Sequence, residues 1–152
     1  MEIDIQYDAG AAPFAIYREI LYDKAREVTQ KIGFVVNRLE FVIFDAKTKK
    51  INSTTLHHLN VFIPAGRDYG YYDHNTKKIW ISTMTLQKSQ HPLKLPFTKL
   101  IKPKPGSDFI ANVIIDELTH RKTDKGHGTN EYDELYKQYI CRFYGLQGGL
   151  NV

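Results

Sequence analysis

Val113-Ile114-Ile115-Asp116-Glu117-Leu118-Thr119-His120 sets two adjacent carboxylates inside an apolar run. A chain that folds around such a run brings at least one carboxylate close to its core. Burying it without a cation, a metal or hydrogen bonds is costly. Ser107 or Asp108 can cap a helix that runs on through Ile110, Val113, Ile114, Glu117 and Leu118, with Gly126 and Gly128 expected to break it. On that helix, residues four apart lie about 40° apart around the axis. Asp116 and His120 can therefore aim at one ion, while Glu117 points to the neighbouring azimuth. His127 follows the break after Lys125-Gly126 and can fold back as a third ligand.

Two imidazoles and a carboxylate make a competent site for zinc, or another divalent metal, with a fourth position open. An ion there would acidify a water and polarise a carbonyl, with Glu117 as the general base and proton shuttle.

The rest of the chain predicts an α+β frame in a single domain spanning 1–152. Pro13 precedes a stretch from Phe14 to Ile32 with Tyr17, Ile20, Leu21, Ala25, Val28 and Ile32 at helical spacing, closed by Gly33. Leu39 to Phe44 and Leu59 to Ile63 read as strands. Tyr71 to Asp73 and Lys78 to Ser82 read as a hairpin about the turn His74-Asn75-Thr76-Lys77. The strands are expected to lean antiparallel, in a small mixed or antiparallel sheet. Gln87 to Gly106 holds four prolines and reads as an irregular connector. A last helix from about Asn130 to Tyr144 ends at Gly145, and 145–152 is expected to fray.

At this point the sequence resembles a family. Ile114 to His120, followed by His127-Gly128-Thr129-Asn130-Glu131-Tyr132, resembles the active-site segment of zincin metallopeptidases, nearest in flavour to the SprT-like and other small gluzincin-type domains. Their pattern is an apolar lead-in, His-Glu-x-x-His, and a third histidine followed by glycine and an aromatic residue. The match covers 71–144 at motif level and the remainder in architecture: an N-terminal helix, a small sheet, the active-site helix and a C-terminal helix. The resemblance implies a zincin-like fold and a zinc-dependent peptidase whose substrate is a protein or peptide, laid along the last strand, Lys78 to Ser82, by β-augmentation. The departure is Asp116, which stands where the family has its first histidine. Its charge weakens the Lewis acidity of a bound ion. A fainter similarity, of Gly128-Thr129-Asn130-Glu131 to the Gly-Thr-x-Asp of aspzincins, makes Glu131 an alternative third ligand.

Composition excludes other classes. A single cysteine, Cys141, permits no intrachain disulfide and no cysteine-rich zinc ribbon. The acidic start Met1-Glu2-Ile3-Asp4 lacks a signal-peptide pattern, and no apolar run has the length to span a bilayer, so a cytoplasmic protein is expected. The net charge of +4 gathers in lysine clusters at 47, 49 and 50, at 77 and 78, and at 99, 102 and 104. They are compatible with weak nucleic-acid contact, although a solvated lysine surface is commoner. Adjacent His57-His58 would face opposite ways in a strand and cannot share an ion. His74 and His91 fall in a turn and in the connector. Tyr132, Tyr136 and Tyr139 read as core packing, with one hydroxyl available to an oxyanion, and Cys141 reads as a buried hydrophobe. Glu40, Asp45, Lys47 and Lys49 form a nuclease-like grouping that no recognisable spacing supports. The expectation is thus a metal-dependent peptidase-like hydrolase. The alternative is a catalytically inactive zincin-fold protein that binds protein or nucleic acid.

Overall fold

The computed structural model describes residues 1–45, 69–88 and 108–146. Among these the fold is α+β, with four helices and a four-stranded mixed sheet. In chain order the elements are β1 (Glu2–Tyr7), α1 (Ala15–Ile32), β2 (Arg38–Phe44), β3 (Gly70–Asp73), β4 (Lys78–Ser82), α2 (Thr83–Gln87), α3 (Phe109–Thr123) and α4 (Asn130–Tyr144).

The strand order is β1-β2-β4-β3. β1 and β4 both run parallel to β2, and only the β3–β4 hairpin is antiparallel. The expected antiparallel leaning is therefore confined to one pair. The reason is α1, whose 18 residues carry the chain back along the sheet so that β2 starts at the same end as β1. The segment also contains two elements absent from the sequence expectation, β1 and the short α2, which Ser82 caps by accepting from the Met84 N–H.

β2 is nearly continuously apolar because both of its faces are covered. Leu39, Phe41 and Ile43 enter the main core with Ile79 and Ile81 of β4 and Ile5 of β1. Phe44 is buried on the opposite face with Tyr71 and Trp80. Against the first face lie Tyr17, Leu21, Ala25, Val28 and Ile32 of α1, then Ile110, Ile114, Ile115 and Leu118 of α3, then Tyr139 and Phe143 of α4. Burying each large aliphatic side chain contributes roughly 1.5–3 kcal/mol, which is what seats α3 firmly enough to hold a site.

Asp108, rather than Ser107, caps α3: its Oδ1 accepts from the Ala111 N–H at 3.0 Å, and its Oδ2 accepts from Lys24 Nζ of α1 at 2.7 Å. α3 stops at Asp124, before either glycine that was expected to break it. Asp124 adopts the left-handed conformation (φ 58°) and returns its N–H to the His120 carbonyl. Its carboxylate meets His74 Nδ1 at 2.7 Å, so the hairpin turn grips the end of α3. In that turn Asp73 accepts from the Asn75 N–H and from the Thr76 hydroxyl, as a turn at His74–Lys77 requires. α4 runs from its Thr129 cap to Gly145, at φ 70°. The expected strand at Leu59–Ile63, the proline-rich connector beyond Lys88, His57, His58, His91 and the tail beyond Leu146 lie outside the described residues. No helix among those described is long and apolar enough to cross a membrane.

Candidate metal centre

Asp116 and His120 lie one turn apart on α3, and His120 Nε2 is 3.3 Å from Asp116 Oδ1. The loop between α3 and α4 brings the third residue back. The Thr129 N–H and hydroxyl both donate to the Gly126 carbonyl, and Gly128 takes φ +89°, a conformation that glycine adopts without steric cost. His127 is thereby folded over His120, with ring centroids 4.7 Å apart and Nε2 3.4 Å from the same Asp116 oxygen. The two Nε2 atoms stand 3.2 Å from each other. Ligand atoms about 2.0–2.1 Å from a tetrahedral ion are separated by about 3.3–3.4 Å, so this triangle fits one face of a zinc coordination sphere.

The imidazole of His120 is held in a defined orientation. Its Nδ1–H donates to the Lys125 carbonyl at 2.8 Å, which turns Nε2 toward Asp116 and His127. Burial works against ionisation of Asp116, yet hydrogen bonds from His120 and Tyr132 and the two imidazoles hold its pKa below the ordinary value. Burial likewise opposes charging of His120, but Asp116 and the Lys125 carbonyl outweigh it and raise its pKa. The His120 side chain is 13% exposed and that of His127 67%, so the cluster opens to solvent on the His127 side.

Glu117 does not share the triangle. It is buried, at 4% exposure, among the apolar residues of α3. Keeping a carboxylate there costs on the order of several kcal/mol before its partners are counted. β3 passes directly over it: a Cβ at Gly70 would lie 3.1 Å from Glu117 Oε2 and 2.7 Å from Val113 Cγ1. Only a residue without a side chain lets the strand come this near.

The sequence-predicted ligands Asp116, His120 and His127 are thus brought together, and Glu117 lies beside them on the sheet side. Among the described residues they are the one group of three such side chains able to share an ion. Glu131, the alternative ligand, is exposed on the first turn of α4 and outside the group. β4, expected to lie along the cleft, is paired on both sides, and the strand next to α3 is the edge strand β3. Of the three tyrosines, Tyr139 lies in the core as expected. Tyr132 instead stacks on His120 with centroids 4.6 Å apart, and its hydroxyl donates to Asp116 Oδ1. Burial and Asp116 push its pKa far up, so the phenol keeps its proton.

Compared with known proteins, the chain matches no family model, no curated protein and no solved structure. The reading of the site rests on its geometry and chemistry.

Two contributions were beyond sequence reasoning. The Lys125 carbonyl carries no side-chain signal. Gly70, between Tyr69 and Tyr71, has no pattern that links it to a residue 47 positions later.

Proposed function

We propose that the chain is a small zinc-dependent, peptidase-like hydrolase in which Asp116, His120 and His127 hold the ion and Glu117 is the general base. The observation that carries this reading is the triangle of donor atoms with edges of 3.2, 3.3 and 3.4 Å. When bound, the ion would supply Lewis acidity, acidifying a water and polarising the carbonyl under attack.

The chain's own residues do the rest. The Lys125 carbonyl orients His120. Glu117 accepts a proton from the attacking water and returns it to the leaving amine, so that its carboxylate is regenerated. An extended protein or peptide substrate would pair with the outer edge of β3, the strand that passes Glu117, with backbone hydrogen bonds supplying register. The zincin resemblance of the 114–132 segment belongs to this reading, as does a cytoplasmic location.

The second reading, an inactive zincin-fold protein that binds protein or nucleic acid, draws on Asp116 itself, whose charge leaves a bound ion less electrophilic than three imidazoles would. Lys77 in the hairpin turn and Lys78 just after it would then serve contact rather than catalysis.

Glu117→Gln decides between them. Hydrolysis of an unstructured protein substrate by the zinc-loaded chain is expected to fall at least about 100-fold in Glu117→Gln, with zinc content and circular dichroism unchanged. Equal activity in the variant overturns the mechanism. A zinc-loaded wild type that hydrolyses nothing but binds DNA with steep salt dependence overturns it in favour of the second reading.

A further inference from the structure

Asp116 poses a chemical problem that the rest of the cluster answers. Two neutral imidazoles and a carboxylate leave a divalent ion with one net positive charge, where three imidazoles would leave two. A carboxylate can also rotate, and it can bind through either oxygen, which an imidazole with a fixed partner cannot. For an aspartate to present one oxygen to an ion in a single geometry, its orientation must be fixed, and drawing off part of its charge keeps the ion electrophilic.

Tyr132 is built to do both. Its hydroxyl donates to Oδ1 of Asp116, the same oxygen that both imidazole Nε2 atoms approach. The ring that carries this hydroxyl is itself immobilised. It is 2% exposed, stacks on His120, meets the edge of His127 at 4.5 Å, and is backed by Tyr136 at 5.7 Å in near-parallel stacking. The Thr129 hydroxyl that caps α4 accepts from the Tyr132 backbone N–H, so the loop that delivers His127 also sets the azimuth of Tyr132. A tyrosine serving only to fill the core would have no need to aim its hydroxyl at the shared oxygen of the cluster.

We propose that Tyr132 is the positioning residue for Asp116: its phenol donates to Oδ1, locks the carboxylate rotamer and withdraws negative charge from it. This inference rests on the metal reading above. It adds a residue that acts on the ion through Asp116 rather than by direct ligation.

Tyr132→Phe tests it, because the ring, its stacking and its burial are all retained. Zinc affinity would be measured on the full chain by competition with a chromophoric chelator, and the visible absorption bands of the cobalt(II)-loaded protein would be recorded. Tyr132→Phe is expected to weaken zinc roughly 10- to 100-fold and to shift the cobalt bands, with the far-ultraviolet circular dichroism of the metal-free chain unchanged. Tyr136→Phe, which removes a hydroxyl from the neighbouring ring, is expected to leave both readouts where they are. A wild type that binds both metals while Tyr132→Phe matches it within about two-fold, with the same cobalt spectrum, overturns the inference and leaves the metal reading standing. A folded wild type that binds neither zinc nor cobalt overturns the metal reading and this inference with it.

Discussion

A methyl group at position 70 would stand 2.7 Å from Val113 Cγ1 and 3.1 Å from Glu117 Oε2. The first contact is closer than packed carbons allow, and the second presses on the carboxylate proposed as the base. Gly70→Ala is therefore expected to cost about 1–3 kcal/mol in stability and, through a displaced Glu117, roughly 10- to 100-fold in turnover. Urea unfolding and substrate hydrolysis measure the two effects separately. Adding Val113→Ala relieves the clash with the valine and should restore part of the stability but not the activity. Unchanged turnover in Gly70→Ala would mean that β3 and Glu117 are not in working contact. At this scale the sequence was informative where helix geometry alone decides: Asp116 and His120 share a face because they are four apart. It was uninformative about Tyr132, because Tyr132, Tyr136 and Tyr139 at helical spacing look like one packing stripe. Only the turn at Gly126–Thr129 rotates the first of them into the cluster.

At the scale of elements, α3 is fixed at both ends by partners from elsewhere in the chain. Asp108 caps its start and accepts from Lys24 of α1, while His74 of the hairpin holds Asp124 at its finish. Asp108→Ala removes the cap and the bridge together and should destabilise the protein by about 1–2 kcal/mol at neutral pH. Lys24 supplies a sign for the pH dependence. Burial tends to lower its pKa, but hydrogen bonds to Asp108 and Glu27 prevail and raise it above the ordinary 10.5. A raised lysine stabilises the fold fully below its unfolded value and ceases to do so as pH climbs through the folded value. The stability gap between wild type and Asp108→Ala, followed by denaturant unfolding, should therefore narrow as pH rises past 10.5, and a gap that widened there would contradict the assignment. The helix boundaries at Asn130 and Gly145 were legible because caps are local chemistry, and the same chemistry narrowed the start of α3 to Ser107 or Asp108. The finish of α3 was not: glycines at 126 and 128 signal a break, yet an aspartate anchored by a distant histidine makes the turn first.

Across the whole molecule, the α+β class and the sequence of helix, sheet, site helix and closing helix follow from periodicity and punctuation. The direction of strand pairing does not. β1 alternates Glu2-Ile3-Asp4-Ile5-Gln6-Tyr7 in strict period two, a strand signal open to view but outweighed when the N-terminus is read only for targeting. Once β1 is present, α1 becomes a crossover between parallel strands, while β4 lies inside the sheet because it pairs with both β2 and β3. Among the described residues β3 is then an edge strand, against α3 and Glu117, and it is the edge that a substrate would pair with under the proposed function. Under the proposed function this frame holds an ion at Asp116, His120 and His127. The most direct test is zinc stoichiometry, measured by elemental analysis on chain purified without chelators, loaded with zinc and desalted, beside Asp116→Ala and His120→Ala. Close to one zinc per chain is expected in the wild type and none in the two variants, all three being folded. A folded wild type that retains no more zinc than they do would contradict the proposed function.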